Sequence, residues 1–392
     1  MQYAIVTETY PPEVNGVALT VQSMECGLRA RGHQVSVVRP HRSDRAAPHE
    51  LLVPGAPLPR YAGLQFGLPA TTRLVRHWRT HRPDGLYVAT EGPLGWSAVR
   101  AARRLGIPVA TGFHTRFDRY LRDYGLGALE PLALAWLRRF HSRGDATFVP
   151  TRELQQRLQA QRFDRVVHLP RTVDTARFSP ARRDAALRAR WGASDDTLVV
   201  LHVGRLAPEK NVGLAIAAFR CIQRLRADTR LVIVGDGPSR PALERAHPDL
   251  TFCGLQRDGA LARHYASGDL LLFPSRSESF GNVTLEAMAS GVPTVAFDTA
   301  AAREHLRGSG GGAATGPTDE EFIDAAVRIA ADDVLCRAMA GAARQAVLHL
   351  HPAQLASDLD RLLQGLVDRR AGRLRAAGEP RPAPALYEGS AR

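Results

Sequence analysis

Short apolar runs alternate with helical patterns along this chain, in two series separated by a break. In the first series, residues 3–7 form a short apolar run, and Tyr10-Pro11-Pro12 with Asn15-Gly16 turns the chain into a helix. Val17, Val21, Met24 and Leu28 recur at the spacing of one helix face, and Gly32 ends that pattern. Further apolar runs lie at 34–38, 86–89, 107–110 and 147–149, with helical patterns at 96–105 and 129–140 between them. The pattern breaks over 177–190, which reads as a linker. It restarts at 198–203 and continues through 231–234, 250–253, 270–273 and 294–296. Alternation of this kind predicts βαβ units and parallel sheets, so the expected fold class is α/β with two doubly wound domains. Ligands in such sheets bind outside the carboxyl ends of the strands, which places the expected site in the cleft between the two halves.

The expected divisions are residues 1–180, 181–348, a helical segment at 349–370, and a tail at 371–392. The tail is rich in Arg, Pro, Ala and Gly, has little to bury, and is expected to lack structure. A length of 392 residues suits two domains. No apolar run approaches the ~18 residues that cross a bilayer. Met1-Gln2-Tyr3-Ala4-Ile5-Val6 reads as a first strand rather than a signal peptide. Cys26, Cys221, Cys253 and Cys336 lie far apart with no C-x-x-C pair, and read as buried free thiols of a cytoplasmic protein.

The formal net charge is +13, which points to a polyanionic partner: nucleic acid, an anionic membrane or a phosphorylated substrate. Only one of the 52 basic side chains is a lysine, Lys210; the rest are arginine. A lysine kept against that bias marks a place where a compact point charge serves and a planar fork does not. Lys210 lies in Gly204-Arg205-Leu206-Ala207-Pro208-Glu209-Lys210, directly after the run 198–203. Arg205 and Lys210 thus leave one strand end together, where two cations can hold a diphosphate.

The run 270–273 leads into Glu278-Ser279-Phe280-Gly281-Asn282 and a helix through Glu286. Gly281 and Asn282 would open that helix, whose first amides and dipole favour an anion. Glu278 and Glu286 make poor phosphate ligands but good acceptors for hydroxyls, one on a sugar and one on a ribose. Taken singly, each reads as ordinary surface or helix charge. Asn15-Gly16 sets up a similar helix start in the first domain, and His114 follows the run 107–110. Gly235-Asp236-Gly237 offers only part of a dinucleotide fingerprint, and Asp358-Leu359-Asp360, the one D-x-D, sits in a helical segment and carries no metal role.

These motifs, taken in order, resemble the retaining GT-B glycosyltransferases of the large α-glycosyltransferase superfamily. Tyr10-Pro11-Pro12, Asn15-Gly16-Val17, Phe113-His114-Thr115, Val173-Asp174, Gly204-Arg205 with Glu209-Lys210, and the Glu278-to-Glu286 E-x7-E element carry the resemblance over about residues 3–366. Residues 113–127, with Tyr120, Tyr124 and Gly125-Leu126-Gly127, are most similar to bacterial GDP-mannose-dependent α-mannosyltransferases and related glycolipid enzymes. The resemblance implies two Rossmann-like domains facing a central cleft, with the segment near the carboxyl end crossing back onto the first. It implies a nucleotide-sugar donor, with GDP-mannose the best guess, and a lipid-linked or glycan acceptor. Gly16 would approach the donor phosphates, Arg205 and Lys210 would neutralise the diphosphate, and Glu278 would hold sugar hydroxyls. Phe280, Gly281 and Asn282 would supply backbone contacts, Glu286 would hold the ribose, and His114 would lie near the reacting sugar. With two cations on the diphosphate, no essential metal or other cofactor is expected. Thr172, Ala300-Ala301 and the Gly-rich run 308–312 depart from the family pattern.

Two other readings belong beside it. An epimerase on this fold would need no acceptor. A nucleic-acid-binding protein would account for the charge but not for the two glutamates. A membrane role follows from Arg116, Arg119 and Arg122, and from Arg138, Arg139 and Arg143 beside the apolar run 132–137 with Trp136. Basic groups next to an apolar, Trp-bearing helix suit an anionic bilayer surface. The protein is therefore expected in the cytoplasm, at the inner face of the membrane, without a nucleic-acid partner.

Overall fold

The computed structural model describes residues 1–13, 15–41, 47–57, 65–114 and 130–378. The first domain contains β1 (Gln2–Val6), β2 (Gln34–Pro40), β3 (Glu50–Val53), β4 (Gly55–Pro57), β5 (Gln65–Gly67), β6 (Gly85–Val88), β7 (Val109–Gly112), β8 (Ala146–Val149) and β9 (Val166–His168). Seven of these form one sheet in the order β3-β2-β1-β6-β7-β8-β9, and β4 and β5 pair as a separate antiparallel ribbon. Every pairing in the large sheet is parallel. The second domain contains β10 (Leu198–Val203), β11 (Thr229–Val234), β12 (Thr251–Gly254), β13 (Leu270–Phe273), β14 (Thr294–Phe297) and β15 (Gly312–Thr315). Its sheet is parallel throughout, in the order β12-β11-β10-β13-β14-β15. Apart from Gln2, the central strands β1, β6, β10 and β13 are buried along their length, and apart from Gln2 and His202 they carry no strongly polar side chain, because helices cover both faces of each sheet.

Each strand order reverses at its first strand. The second sheet runs outward from β10 to β12, then returns to place β13 on the other side of β10. The chain must diverge at such a reversal, which leaves a crevice at the carboxyl ends of β10 and β13. In the first sheet the corresponding reversal lies between β1 and β6.

Three expectations from sequence need correction. The stretch 177–190 is not a linker. Val173, Phe178 and Leu187 pack into the second domain's core. Arg188 is buried there, donating to Asp269 Oδ2 at 3.0 Å and to the Ser194 and Thr197 carbonyls at 2.6 and 2.7 Å. A structural arginine inside a charged run looks like a solvated one until its partners are known. Second, the terminal helix Pro352–Gly378 continues past residue 371, and 379–392 lie outside the described residues. Third, Cys336 alone among the four thiols is buried, and Cys26 is exposed. Cys26 lies on helix Gly16–Ala30, where Val21, Met24 and Leu28 face the sheet and Cys26 faces outward.

The helix Pro352–Gly378 packs on the first domain. Leu355, Leu359, Leu363 and Leu366 join Tyr3, Ile5, Met24 and Leu28 in one core. Asp360 is buried among Tyr3, whose hydroxyl donates to it at 3.1 Å, Arg31 at 3.0 Å and His33 at 3.0 Å. Burial works against its charge, but these partners hold its carboxyl below the usual range. The lone D-x-D is thus partly a docking element. A Cβ on Gly27 would lie 2.5 Å from the Ala356 Cβ, so the two helices touch backbone to side chain. Gly27→Val is expected to cost about 1–3 kcal/mol by overpacking, read as a lowered midpoint of urea unfolding with α-helical content retained before the transition.

The family departures have local causes. Gly311 and Gly312 lead into the edge strand β15, where a Cβ would meet Ala343 at 2.6 Å and the Thr294 carbonyl at 2.1 Å respectively. Ala300 takes φ +51, a conformation that costs a non-glycine residue roughly 1 kcal/mol. Thr172 does not have positive φ and needs no glycine.

Candidate active site

The loops after β10 and β13 meet at the second domain's reversal. Lys210 ends a single 3-10 turn, Pro208–Lys210, and its Nζ donates to Glu278 Oε1. Ser275 Oγ donates to the same oxygen at 2.7 Å. The ammonium also lies 5.8 Å from the centroid of the Phe273 ring. Burial by itself would raise the Glu278 carboxyl, but Lys210 and Ser275 outweigh it and hold it below the usual carboxylate range. Glu278 is therefore an ionised acceptor at neutral pH and has no proton to give. Its side chain is only 14% exposed, and that of Lys210 is 22% exposed.

Gly281 caps the next helix, Asn282–Ala289, at φ +88. A Cβ there would sit 3.4 Å from both Glu278 Cγ and the Phe273 ring, so glycine serves conformation and space together. No side chain caps this helix start. Its first amides therefore keep the capacity to meet an anion. Phe280 is buried against the second core, and its carbonyl accepts from the Ala301 amide at 2.8 Å. It braces the loop with its side chain.

Glu286 lies farther along the same helix, where the Tyr265 hydroxyl donates to its Oε2 at 2.9 Å. Burial pushes its carboxyl up to about 6, against the pull of that hydroxyl and of the Arg177 charge.

Arg205 is exposed on the loop after β10. The backbone beneath it leaves no room for side chains. A Cβ on Gly235 would lie 1.8 Å from the Gly204 carbonyl oxygen, and one on Gly237 would lie 2.4 Å from that of Leu206. The Gly235-Asp236-Gly237 motif thus supports the Arg205 loop by close packing.

The first domain faces this loop. A Cβ on Gly16 would lie 3.5 Å from Asn282 Nδ2, so the openings of the two helices stand opposite one another. They differ in one respect. Asn15 Oδ1 already accepts from the Val17 and Ala18 amides, at 3.1 and 2.9 Å. The first domain's helix is capped, so Gly16 contributes close approach more than free amides.

His114 is the residue expected beside the reacting sugar. Its ring points back into the first domain and is buried. Arg171 Nη2 donates to Nδ1 at 2.6 Å, which leaves Nε2–H to donate to the Tyr87 hydroxyl at 2.6 Å. Burial, then the charges of Arg171 and His141, hold it well below the ordinary histidine value, so it is neutral. What His114 sends across the cleft is its carbonyl, which accepts from Ser279 Oγ at 2.6 Å. Thr115 and residues 116–129, including Tyr120 and Tyr124, lie outside the described residues.

Sequence reading missed Ser275, Tyr265, Ser279, Tyr87 and Arg171. Ser275 and Ser279 flank Glu278 and could have been noticed there. Tyr265, Tyr87 and Arg171 come from elements distant in sequence and leave no local signal.

The chain matches two family models, Glycosyltransferase Family 4 over residues 14–177 and Glycosyl transferases group 1 over residues 197–332. It is 38% identical over 313 residues to a GDP-mannose-dependent alpha-mannosyltransferase of Mycolicibacterium smegmatis, covering 78% of this chain and 81% of the relative. The chain belongs to this glycosyltransferase family. It is 31% identical to a GDP-mannose-dependent alpha-(1-6)-phosphatidylinositol dimannoside mannosyltransferase of Mycobacterium tuberculosis, over 80% of this chain and 84% of the relative. Its fold matches that of sucrose-phosphate synthase from Thermosynechococcus elongatus with a TM-score of 0.74 at 18% identity, over 96% of this chain and 100% of the other. This glycosyltransferase therefore has the GT-B architecture of two facing parallel-sheet domains.

Proposed function

We propose that this glycosyltransferase moves mannose from GDP-mannose to a lipid-linked or glycan acceptor with retained configuration and without an essential metal ion. The observation that carries the reading is the convergence of Lys210, Glu278 and the Gly281 helix start at the β10/β13 reversal, opposite Gly16. The relatives named for GDP-mannose support the donor, and the phosphatidylinositol dimannoside enzyme supports a lipid acceptor.

The C1–O bond to the diphosphate breaks as the acceptor oxygen bonds to C1. Negative charge then grows on the leaving phosphate. Lys210, Arg205 and the first amides of helix Asn282–Ala289 are preorganised to meet it. Glu278, held ionised, accepts from sugar hydroxyls and fixes the ring's orientation. Attack from the same face as the leaving group returns the acceptor proton to a departing phosphate oxygen and needs no protein nucleophile. His114 has both ring nitrogens engaged, which suits a positioning role through its carbonyl and Ser279.

A donor-hydrolysis screen across GDP- and UDP-sugars, read by product mass with and without EDTA, tests this. GDP-mannose turnover unchanged by EDTA is expected. Turnover of UDP-sugars alone, or loss of activity that Mg²⁺ restores, would overturn it.

Glu286 sets a pH dependence. Ribose hydroxyls donate to its carboxylate, and protonation removes an acceptor. With the carboxyl raised to about 6, kcat/KM for the donor is expected to fall as pH drops through that value and to level off about tenfold lower. Glu286→Gln should flatten this limb of the profile.

A membrane surface fits helix Glu130–His141. Leu137 and Phe140 face the core, while Leu132 is 68% and Trp136 is 42% exposed, with Arg138 and Arg139 also exposed beside them. Arg116, Arg119 and Arg122 lie outside the described residues. No helix among the described residues is long and apolar enough to cross a membrane. The protein is expected to float with phosphatidylglycerol-rich vesicles at low salt, and Trp136→Ser with Leu132→Ser to release it. Wild-type protein remaining in the aqueous fraction would instead favour a soluble acceptor.

A further inference from the structure

The chain crosses between its domains near Thr172 and again near Leu350, where the Val173 amide donates to the Leu350 carbonyl at 2.9 Å. Beside these crossings lies a cavity of about 750 Å³ whose lining includes none of the donor-site residues described above. Both domains and the terminal helix contribute to its wall.

Arg171 is the group in this wall that lacks compensation. It is 6% exposed, and its Nη2 is used by His114. Its Nη1 is buried with no hydrogen-bond partner among the described residues. Burial pushes the guanidinium down to about 10, so it keeps its charge at neutral pH. A buried charge with an unmet donor is costly and calls for an anion or ordered water.

The other cations in the wall differ, because each has a carboxylate. Arg307 meets Asp298 at 3.2 Å, Arg361 meets Asp358 at 3.1 Å, and Arg152 meets Glu304 at 3.9 Å. These rim arginines are more than half exposed, and Asp298 keeps Arg303 at 3.2 Å when Arg307 turns toward a ligand. His168, His305 and His349 also line the cavity, and His168 Nε2 lies 3.5 Å from Glu304 Oε1. Among the described residues no group of His, Cys, Asp or Glu converges as a metal site, so these imidazoles serve better as N–H donors than as ligands.

We propose that this interdomain cavity binds a small phosphate-bearing anion on Arg171 Nη1, with Arg307 and Arg361 closing over it. A ligand held by walls from both domains favours one relative arrangement of those domains. The Arg171–His114 contact links the cavity to Ser279 and the donor loop. The inference is independent of which sugar or acceptor the enzyme uses.

Calorimetric titration of inorganic phosphate into the full chain tests it, with Lys210→Ala as a background that weakens the donor-side phosphate site. Phosphate is expected to bind this background with one-to-one stoichiometry. Adding Arg171→Gln should abolish binding. Because that change also disturbs His114, Arg361→Glu is the second variant; it acts at the exposed rim and should weaken binding at least tenfold with the fold intact. A parallel arm presents the phosphate as phosphatidylglycerol vesicles. Binding there alone, lost with Arg361→Glu, identifies a lipid headgroup as the source, whereas binding of free phosphate identifies a soluble anion. Absence of binding in both arms, or binding that survives Arg171→Gln and Arg361→Glu, overturns the proposal.

Discussion

Lys210→Arg is expected to lower kcat about 100- to 1,000-fold while the protein stays folded. The charge is conserved, so the change tests geometry. The Lys210 ammonium pairs with Glu278 Oε1 beside the Phe273 ring, at the end of a single tight turn. A guanidinium is larger and planar, and it cannot enter that space without displacing the Glu278 carboxylate or withdrawing from it. Either outcome removes a point charge from the leaving diphosphate, a loss of about 2.7–4 kcal/mol by comparison with a missing oxyanion donor. Single-turnover rates at saturating donor, with thermal unfolding as the control, decide the matter. A rate within a few-fold of wild type would mean that the sole lysine is not kept for its shape.

Glu278→Gln and Glu286→Gln are expected to fail in different ways. Glu278 holds hydroxyls of the sugar that reacts and also balances Lys210. Its loss should lower kcat about 100-fold and broaden the range of sugars accepted, with donor KM little changed or lower, since the freed ammonium still attracts the diphosphate. The Lys210 side chain is 22% exposed, so water takes up part of the uncovered charge and the stability cost stays smaller than the catalytic one. Glu286 is assigned to the ribose, which does not react. Its loss should raise KM about tenfold with kcat nearly intact. Equal effects on KM from both variants, with turnover preserved, would contradict the two assignments.

The two-domain architecture was legible because strand cores buried on both faces must be apolar along their whole length. The runs at 198–203 and 270–273 became the central strands β10 and β13 for that reason. Edge strands were harder to see. β3 and β9 are half-exposed or very short, and β15 begins in glycines that read as a loop. Those glycines are selected by contacts with Thr294 and Ala343, which no periodicity records. The stretch 177–190 was misread as a linker for a similar reason: Phe178 packs on Tyr265, and Arg188 donates to Ser267 and Asp269, about 80 residues away.

At the site, Lys210 stood out by its rarity, and Glu278, Gly281 and Glu286 by their spacing around a helix start. These are local signals, set by a turn and by one helical repeat, so the sequence alone determined them. It also determined the fold class, because the alternation of apolar runs admits few alternatives to stacked βαβ units. The tertiary structure alone decided which groups are paired and which are not. Lys210 is matched to Glu278 across 68 residues, His114 is turned inward between Arg171 and Tyr87, and Asp360 is anchored 357 residues from Tyr3. Such pairings depend on short-range forces between side chains that meet only after the sheets have assembled, and their strength is set by burial. Neither the meeting nor the burial is written in the spacing of residues along the chain.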